Sequence, residues 1–262
     1  MNFYHSGEIG DILYSLKAIQ RVGGHLYVNR DLLVNVDLKR QRWAWPNKPF
    51  DVNHFNFLSP LINKQSYIKS FQMQTPESID YNLNDFRKTI FEYEDINFAD
   101  LFVKSCNFNV DKNDGHKPWI YCDSNYKKRI SVIRVKRRNN PNFPWKTIAR
   151  TYHSEMLFLG TKQEHEDFTN FVKYDVEHFD NSNLLEISEV INGSSVFIGN
   201  CTSLTVCAEA LKKNMIYESE ATRSQYRYYL HEFNRFNRHN VDPDDNNVRL
   251  TMEKIEQFLN AG

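Results

Sequence analysis

The chain has 262 residues, with 33 lysines and arginines against 33 aspartates and glutamates, so bulk charge draws it to no polyanion. At 40% hydrophobic and 14% aromatic residues it has the composition of a folded protein, which excludes a disordered tail and allows one large domain or two compact ones. No apolar run nears the roughly 18 residues of a membrane span and no secretory leader is readable, so the expected setting is the cytoplasm.

In chain order, Phe3-Tyr4-His5 reads as a short strand. The loop Ser6-Gly7-Glu8-Ile9-Gly10-Asp11 follows, then a helix in which Ile12, Leu13, Leu16 and Ile19 recur at helical spacing until Gly23-Gly24 stops it. A strand at 25–29 comes next. The pattern then blurs through a polar, Trp- and Pro-containing stretch at 39–49, a strand near 67–73 and an apolar helix near 98–106. The polar, breaker-rich stretch 111–118 marks a domain boundary. This gives 1–117 as the first domain, 118–245 as the second, and 246–262 as a C-terminal helix expected to pack back on the first.

The second half alternates more clearly. A β-branched strand at 130–135 leads through a Pro-containing turn to a helix at 145–152, and Met156-Leu157-Phe158-Leu159-Gly160 is a buried strand. Thr161-x-x-Glu164 is a capping box opening the next helix. A weaker strand lies at 174–179, and Asn183-x-x-Glu186 starts a helix whose Leu184, Ile187, Val190 and Ile191 share a face. Strand 195–199, helix 203–212 with Leu204, Cys207, Ala208 and Leu211 on one face, and strand 214–218 complete the series. Strands alternating with helices imply parallel sheets covered on both faces: an α/β chain of two Rossmann-like domains with a cleft between them.

In such folds ligands bind at the strand-to-helix loops, where backbone N–H groups and the helix dipole converge. Three stretches qualify. In the 6–11 loop two glycines let the backbone approach a ligand, and Asp11 opens the helix; an Asp there can equally be a cap or a dipole partner. In Gly199-Asn200-Cys201-Thr202-Ser203, the Thr202 and Ser203 hydroxyls and the first-turn N–H groups can meet a phosphate, or serve as an ordinary polar cap. The third is basic: Lys127-Lys128-Arg129 and Arg134-Val135-Lys136-Arg137-Arg138 hold seven cations with no acid between them. Arg134 to Arg138 stand at the end of a strand, where arginine forks suit a diphosphate. Residues 223–239 interleave further cations with aromatics, fit either to stack on bases or sugars or to pack a late helix.

Cys106, Cys122, Cys201 and Cys207 form no Cys-x-x-Cys pair and the nine histidines form no ligand group, so free thiols, no metal and no cofactor are expected. P-loop, nucleophile-elbow and zincin motifs are absent.

The run Ser6-Gly7-Glu8-Ile9-Gly10-Asp11-Ile12-Leu13-Tyr14-Ser15-Leu16 resembles the opening Gly-Asp loop and helix of the heptosyltransferase-like (family 9) glycosyltransferases of the GT-B fold. Stretches 134–145, 158–165 and 197–209 are similar to the donor-domain strands and loops of compact relatives of that group. The resemblance implies a metal-independent transferase whose first domain takes a hydroxyl acceptor and whose second takes a nucleotide-sugar. It makes Asp11 the catalytic base and implies acceptor contacts at Ser6, Gly7 and Glu8. Donor contacts are implied at Gly10, Arg134, Lys136, Arg137, Gly160, Thr161, Asn200, Thr202, Ser203, Leu204 and Glu209. Where the family typically carries Asp-Thr-Gly-x-x-His, this chain has Gly199-Asn200-Cys201-Thr202-Ser203-Leu204, which leaves the donor sugar open. Two other readings stand beside it: a phage-type DNA glycosyltransferase gripping a backbone with its cation clusters, and a non-catalytic protein that binds a nucleotide-sugar or a glycan.

Overall fold

The computed structural model describes residues 1–29, 50–89, 96–110, 115–219, 238–241 and 247–261. The chain divides into two compact units, Met1–Gly115 and His116–Gly262.

In the first unit, β1 (Asn2–His5), β2 (Gly24–Val28), β3 (Ile68–Gln72) and β4 (Tyr81–Asn82) form one parallel sheet in the order β3-β2-β1-β4. Helix α1 (Ile9–Gln20) follows β1 and stops where Gly23 takes φ +68°, a left-handed turn that glycine enters without cost. Helix α2 (Val52–Asn63) has no counterpart in the sequence reading. Its buried residues reduce to Leu58, Leu61 and Ile62, and Pro60 sits inside it, so its apolar stripe is faint. Its start is local chemistry: the Asp51 carboxylate accepts the N–H groups of Asn53 and His54. After β4 come the short α3 (Phe86–Thr89) and α4 (Phe98–Ser105), the latter capped by Asn97. Helix α4 packs on α1 through a buried ion pair, Lys17 Nζ to Asp100 Oδ1 at 2.6 Å. Phe86, Phe98 and Phe102 cluster at that end of the core, with the Phe86 and Phe102 rings 4.3 Å apart.

The second unit carries β5 (Ile130–Ile133), α5 (Trp145–Tyr152), β6 (Met156–Phe158), α6 (Lys162–Val172), β7 (Glu177–His178), α7 (Leu184–Gly193), β8 (Val196–Gly199), α8 (Ser203–Ala210), β9 (Met215–Glu218), β10 (Arg238–Val241) and α9 (Val248–Asn260). Its parallel sheet runs β10-β9-β8-β5-β6-β7, which in chain order is the 3-2-1-4-5-6 arrangement of doubly wound folds. Every residue of β5, β8 and β9 is buried, as a sheet covered on both faces requires. Trp145 and Phe158 both contact Phe168 at 5.2 Å in the core. Helix α9 lies against β8, β9 and β10 of its own unit.

Three local expectations change. The 203–212 helix ends at Ala210, because Lys212 adopts φ 58° to turn into β9. The 174–179 strand shortens to the two residues of β7 at the sheet edge. Arg238 and His239, read either as stacking groups or as part of a late helix, lie in strand β10; residues 223–237 of that basic and aromatic segment are outside the described residues. The stretch 39–49 is outside them as well.

Candidate active site

Strand order reverses at two places, between β1 and β4 in the first sheet and between β5 and β8 in the second, and at such a switch point the flanking loops part to leave a crevice. The charged and polar groups gather there.

In the first unit, Asp11 stands in the first turn of α1 after β1, and Arg87 in α3 after β4. Arg87 Nη2 donates to Asp11 Oδ2 at 2.9 Å, with the two side chains 18% and 22% exposed. Asp11 is therefore not the cap; Glu8 occupies that position, makes no side-chain capping bond and is exposed. Burial raises the Asp11 carboxyl to about 6, aided by the Glu8 charge and opposed by Arg87. Behind the loop, the His5 ring accepts the Gly7 N–H on Nδ1 at 2.7 Å and fills the space a Gly7 side chain would need: a Cβ there would lie 2.2 Å from His5 Cε1. Burial, then the nearby Arg87 charge, hold His5 well below its ordinary pKa, so the ring is neutral with its proton on Nε2. Ser6 donates both its N–H and its hydroxyl to Asn84 Oδ1, at 3.1 and 2.8 Å. Gly10 sits beside Asp11 in the first turn of α1.

In the second unit, Asn200, at the end of β8, is completely buried and stitches the loop after β5. Its Oδ1 accepts the Val135 N–H at 3.1 Å, and its Nδ2 donates to the Val135 and Arg138 carbonyls at 2.9 and 3.0 Å. Thr202 caps α8 by accepting the Thr205 N–H, Ser203 is half-buried, and Leu204 and Glu209 are buried. Thr161 and Glu164 form the expected capping box, and the Gly160 carbonyl accepts the His178 Nε2–H at 2.8 Å. A cavity of 290 Å³ opens beside these groups, lined by Arg134, Val135, Lys136, Glu164, Asp167 and Phe168. Lys136 reaches it from an exposed position, paired with Asp167 at 2.8 Å, a bond worth about 0–1 kcal/mol that a competing anion can displace. Arg134 is half-buried, its guanidinium 4.2 Å over the Phe171 ring. The Arg137 side chain is outside the described residues.

The seven-cation stretch is not one patch. Lys127, Lys128 and Arg129 precede β5 and Arg134 to Arg138 follow it, so a four-residue strand of about 13 Å sets them at opposite edges of the sheet. Lys128 bonds the Ser154 carbonyl and pairs with Glu177; Arg129 pairs with Glu155 and bonds the Leu259 carbonyl. These cations tie the unit together. Burial pushes the Cys106 and Cys207 thiols up to about 12, which leaves them without thiolate character at neutral pH.

Sequence reasoning missed Arg87, His5 and Glu218. Arg87 follows a two-residue strand with no periodic signal. Glu218 had one: a carboxylate ending the buried run Met215-Ile216-Tyr217 has to find donors inside the protein.

Two doubly wound parallel sheets in tandem, each with its polar groups at the switch point, define the GT-B fold of two Rossmann-like domains. Solved structures agree. The chain is similar to a family 9 glycosyl transferase from Veillonella parvula (TM-score 0.61, 8% identity, covering 100% of this chain and 97% of that one). It is also similar to E. coli ADP-heptose lps heptosyltransferase II (0.57, 9%, 99% and 98%) and to E. coli heptosyltransferase WaaC with ADP (0.54, 12%, 98% and 99%). At these identities the likeness shows the fold. No family model and no curated protein matches the chain. Among the described residues no helix is long and apolar enough to cross a membrane.

Proposed function

We propose that the chain is a metal-independent glycosyltransferase that moves a sugar from a nucleotide-diphosphate sugar to a hydroxyl acceptor. The observation that carries this reading is Asp11: a carboxylate at the switch point of the first sheet, held by Arg87 and brought to about 6. A carboxyl with that value is roughly nine-tenths ionised at pH 7, yet basic enough to take a proton from a hydroxyl as its oxygen attacks. The GT-B neighbours, one of them described with ADP, support a nucleotide-linked donor.

In this reading the loop of Ser6, Gly7 and Glu8 receives the acceptor. Its hydroxyl proton passes to Asp11 as the new C–O bond forms and the bond from the anomeric carbon to the diphosphate breaks. The second unit takes the donor. Arg134, Lys136 and Arg137 meet the charge developing on the leaving diphosphate, together with the first-turn N–H groups of Ser203 and Leu204 behind Thr202. Asn200 contributes by fixing the backbone that carries those cations. Gly10, Gly160, Thr161 and Glu209 are assigned to the remainder of the donor.

The test is donor hydrolysis and transfer over a panel of UDP-, GDP- and ADP-sugars in the presence of a chelator. Asp11→Asn should fold, bind nucleoside diphosphate and lose about 10²- to 10⁴-fold in turnover. Full turnover by Asp11→Asn would overturn the role of Asp11. Binding with no turnover on any donor by the unaltered protein would leave a binding protein.

A further inference from the structure

We infer that Arg87 is the positioning residue for Asp11: its guanidinium fixes the carboxylate in one orientation at the crevice between β1 and β4 and keeps it ionised for proton transfer. The inference rests on the transferase reading of Asp11 and adds a residue to it.

The geometry is directional. Arg87 occupies Asp11 Oδ2, and among the described residues Oδ1 has no hydrogen-bond partner, so one oxygen is anchored and the other remains to accept a proton. The anchor is itself held. The guanidinium lies 4.4 Å over the Phe86 ring, and Phe86 packs against Phe98 and Phe102, so Arg87 cannot swing away without disturbing that cluster. The two residues are 76 positions apart and hang from different strands, so only the β1–β4 pairing brings them together.

Among the described residues, Glu8 and His5 are the titratable groups that bear on the pair. Glu8, on the loop before α1, adds negative charge and favours the protonated form of Asp11; Arg87 opposes it. The His5 ring and the Asp11 carboxylate border the same space over Gly7: a Cβ there would be 2.2 Å from His5 Cε1 and 3.4 Å from Asp11 Oδ2. Kept neutral by burial and by Arg87, His5 brings no charge to the site. Burial drives the Asp11 proton affinity up, and Arg87 keeps it in a range where the carboxylate predominates at neutral pH.

The experiment titrates the Asp11 carboxyl by carbon-13 NMR in the unaltered protein, Arg87→Met and Arg87→Lys, with Asp11→Asn to assign the resonance. The midpoint should lie near 6 in the unaltered protein, rise by a unit or more in Arg87→Met and return part of the way in Arg87→Lys. With an active donor and acceptor, the acid limb of kcat should move by the same amount while the donor KM stays within twofold. An unchanged midpoint in folded Arg87→Met overturns the inference, and Arg87→Gln gives the same reading should the Met variant fail to fold. A shifted midpoint together with full turnover by Asp11→Asn overturns the general-base reading and leaves the pairing standing, so the two failures are distinguishable.

Discussion

Arg134 and Glu218 meet inside the second unit, with Arg134 Nε 3.9 Å from Glu218 Oε1 and the carboxyl completely buried. Glu218 spends its oxygens elsewhere, accepting the Asn140 backbone N–H at 2.8 Å and the Trp145 indole N–H at 3.0 Å. It thereby ties the 134–145 stretch between β5 and α5 to the end of β9 and lies beneath the guanidinium that faces the cavity. Burial nonetheless outweighs these partners and raises Glu218 to about 7.

Stability should fall with pH through that group. An acid whose folded-state pKa is raised binds its proton more tightly in the native protein, so its contribution is fully present below about 4.5 and is lost as pH rises to about 7. The full span is on the order of 3 kcal/mol. Chemical denaturation at pH 4.5 and 7.5 should show the unaltered protein losing stability relative to Glu218→Gln across that window. Parallel pH dependence in the two proteins would contradict the assignment.

Gly7 should tolerate no side chain while His5 is present. The Gly7→Ala methyl would meet the ring at 2.2 Å, an overpacking that costs about 1–3 kcal/mol and displaces the loop carrying Asp11. A double-mutant cycle with His5→Ala checks this. The two substitutions should be less harmful together than their separate costs predict, and strict additivity would refute the contact.

Asn200→Ala should release the 134–138 loop. It removes one acceptor and two donated hydrogen bonds from a buried position, at a cost of roughly 1–3 kcal/mol. Nucleoside diphosphate affinity, followed by calorimetry, should fall with it because Arg134 and Lys136 lose their platform. Unimpaired affinity in a folded variant would argue that the cations are placed by other means.

Breaking the Lys17–Asp100 pair should be the most damaging of these changes. Asp100→Leu takes the carboxylate away from an ammonium that is 3% exposed, a loss of about 3–5 kcal/mol, whereas Lys17→Met with Asp100→Leu should recover most of it. Thermal melts of the three proteins decide the matter.

Much of the fold was readable because the second unit follows local rules. Leu184, Ile187, Val190 and Ile191 recur at helical spacing and are buried, and Thr161 with Glu164 forms the capping box that its spacing implies. Helix α2 escaped because its faint apolar stripe is broken by Pro60. The basic run at 127–138 misled because sequence adjacency says nothing about which edge of a sheet a residue leaves, and β5 passes between its two halves.

The sequence by itself determined the alternation of strands and helices and the loop that places Asp11 at the start of α1, since side-chain period and capping chemistry act over a few residues. Tertiary structure alone decided which groups meet: Asp11 with Arg87, Arg134 with Glu218, and Asn200 with the loop after β5. Each of these contacts crosses between neighbouring or next-neighbouring strands that lie far apart in the chain. Strand order is set by packing of the whole sheet, and no local periodicity records it.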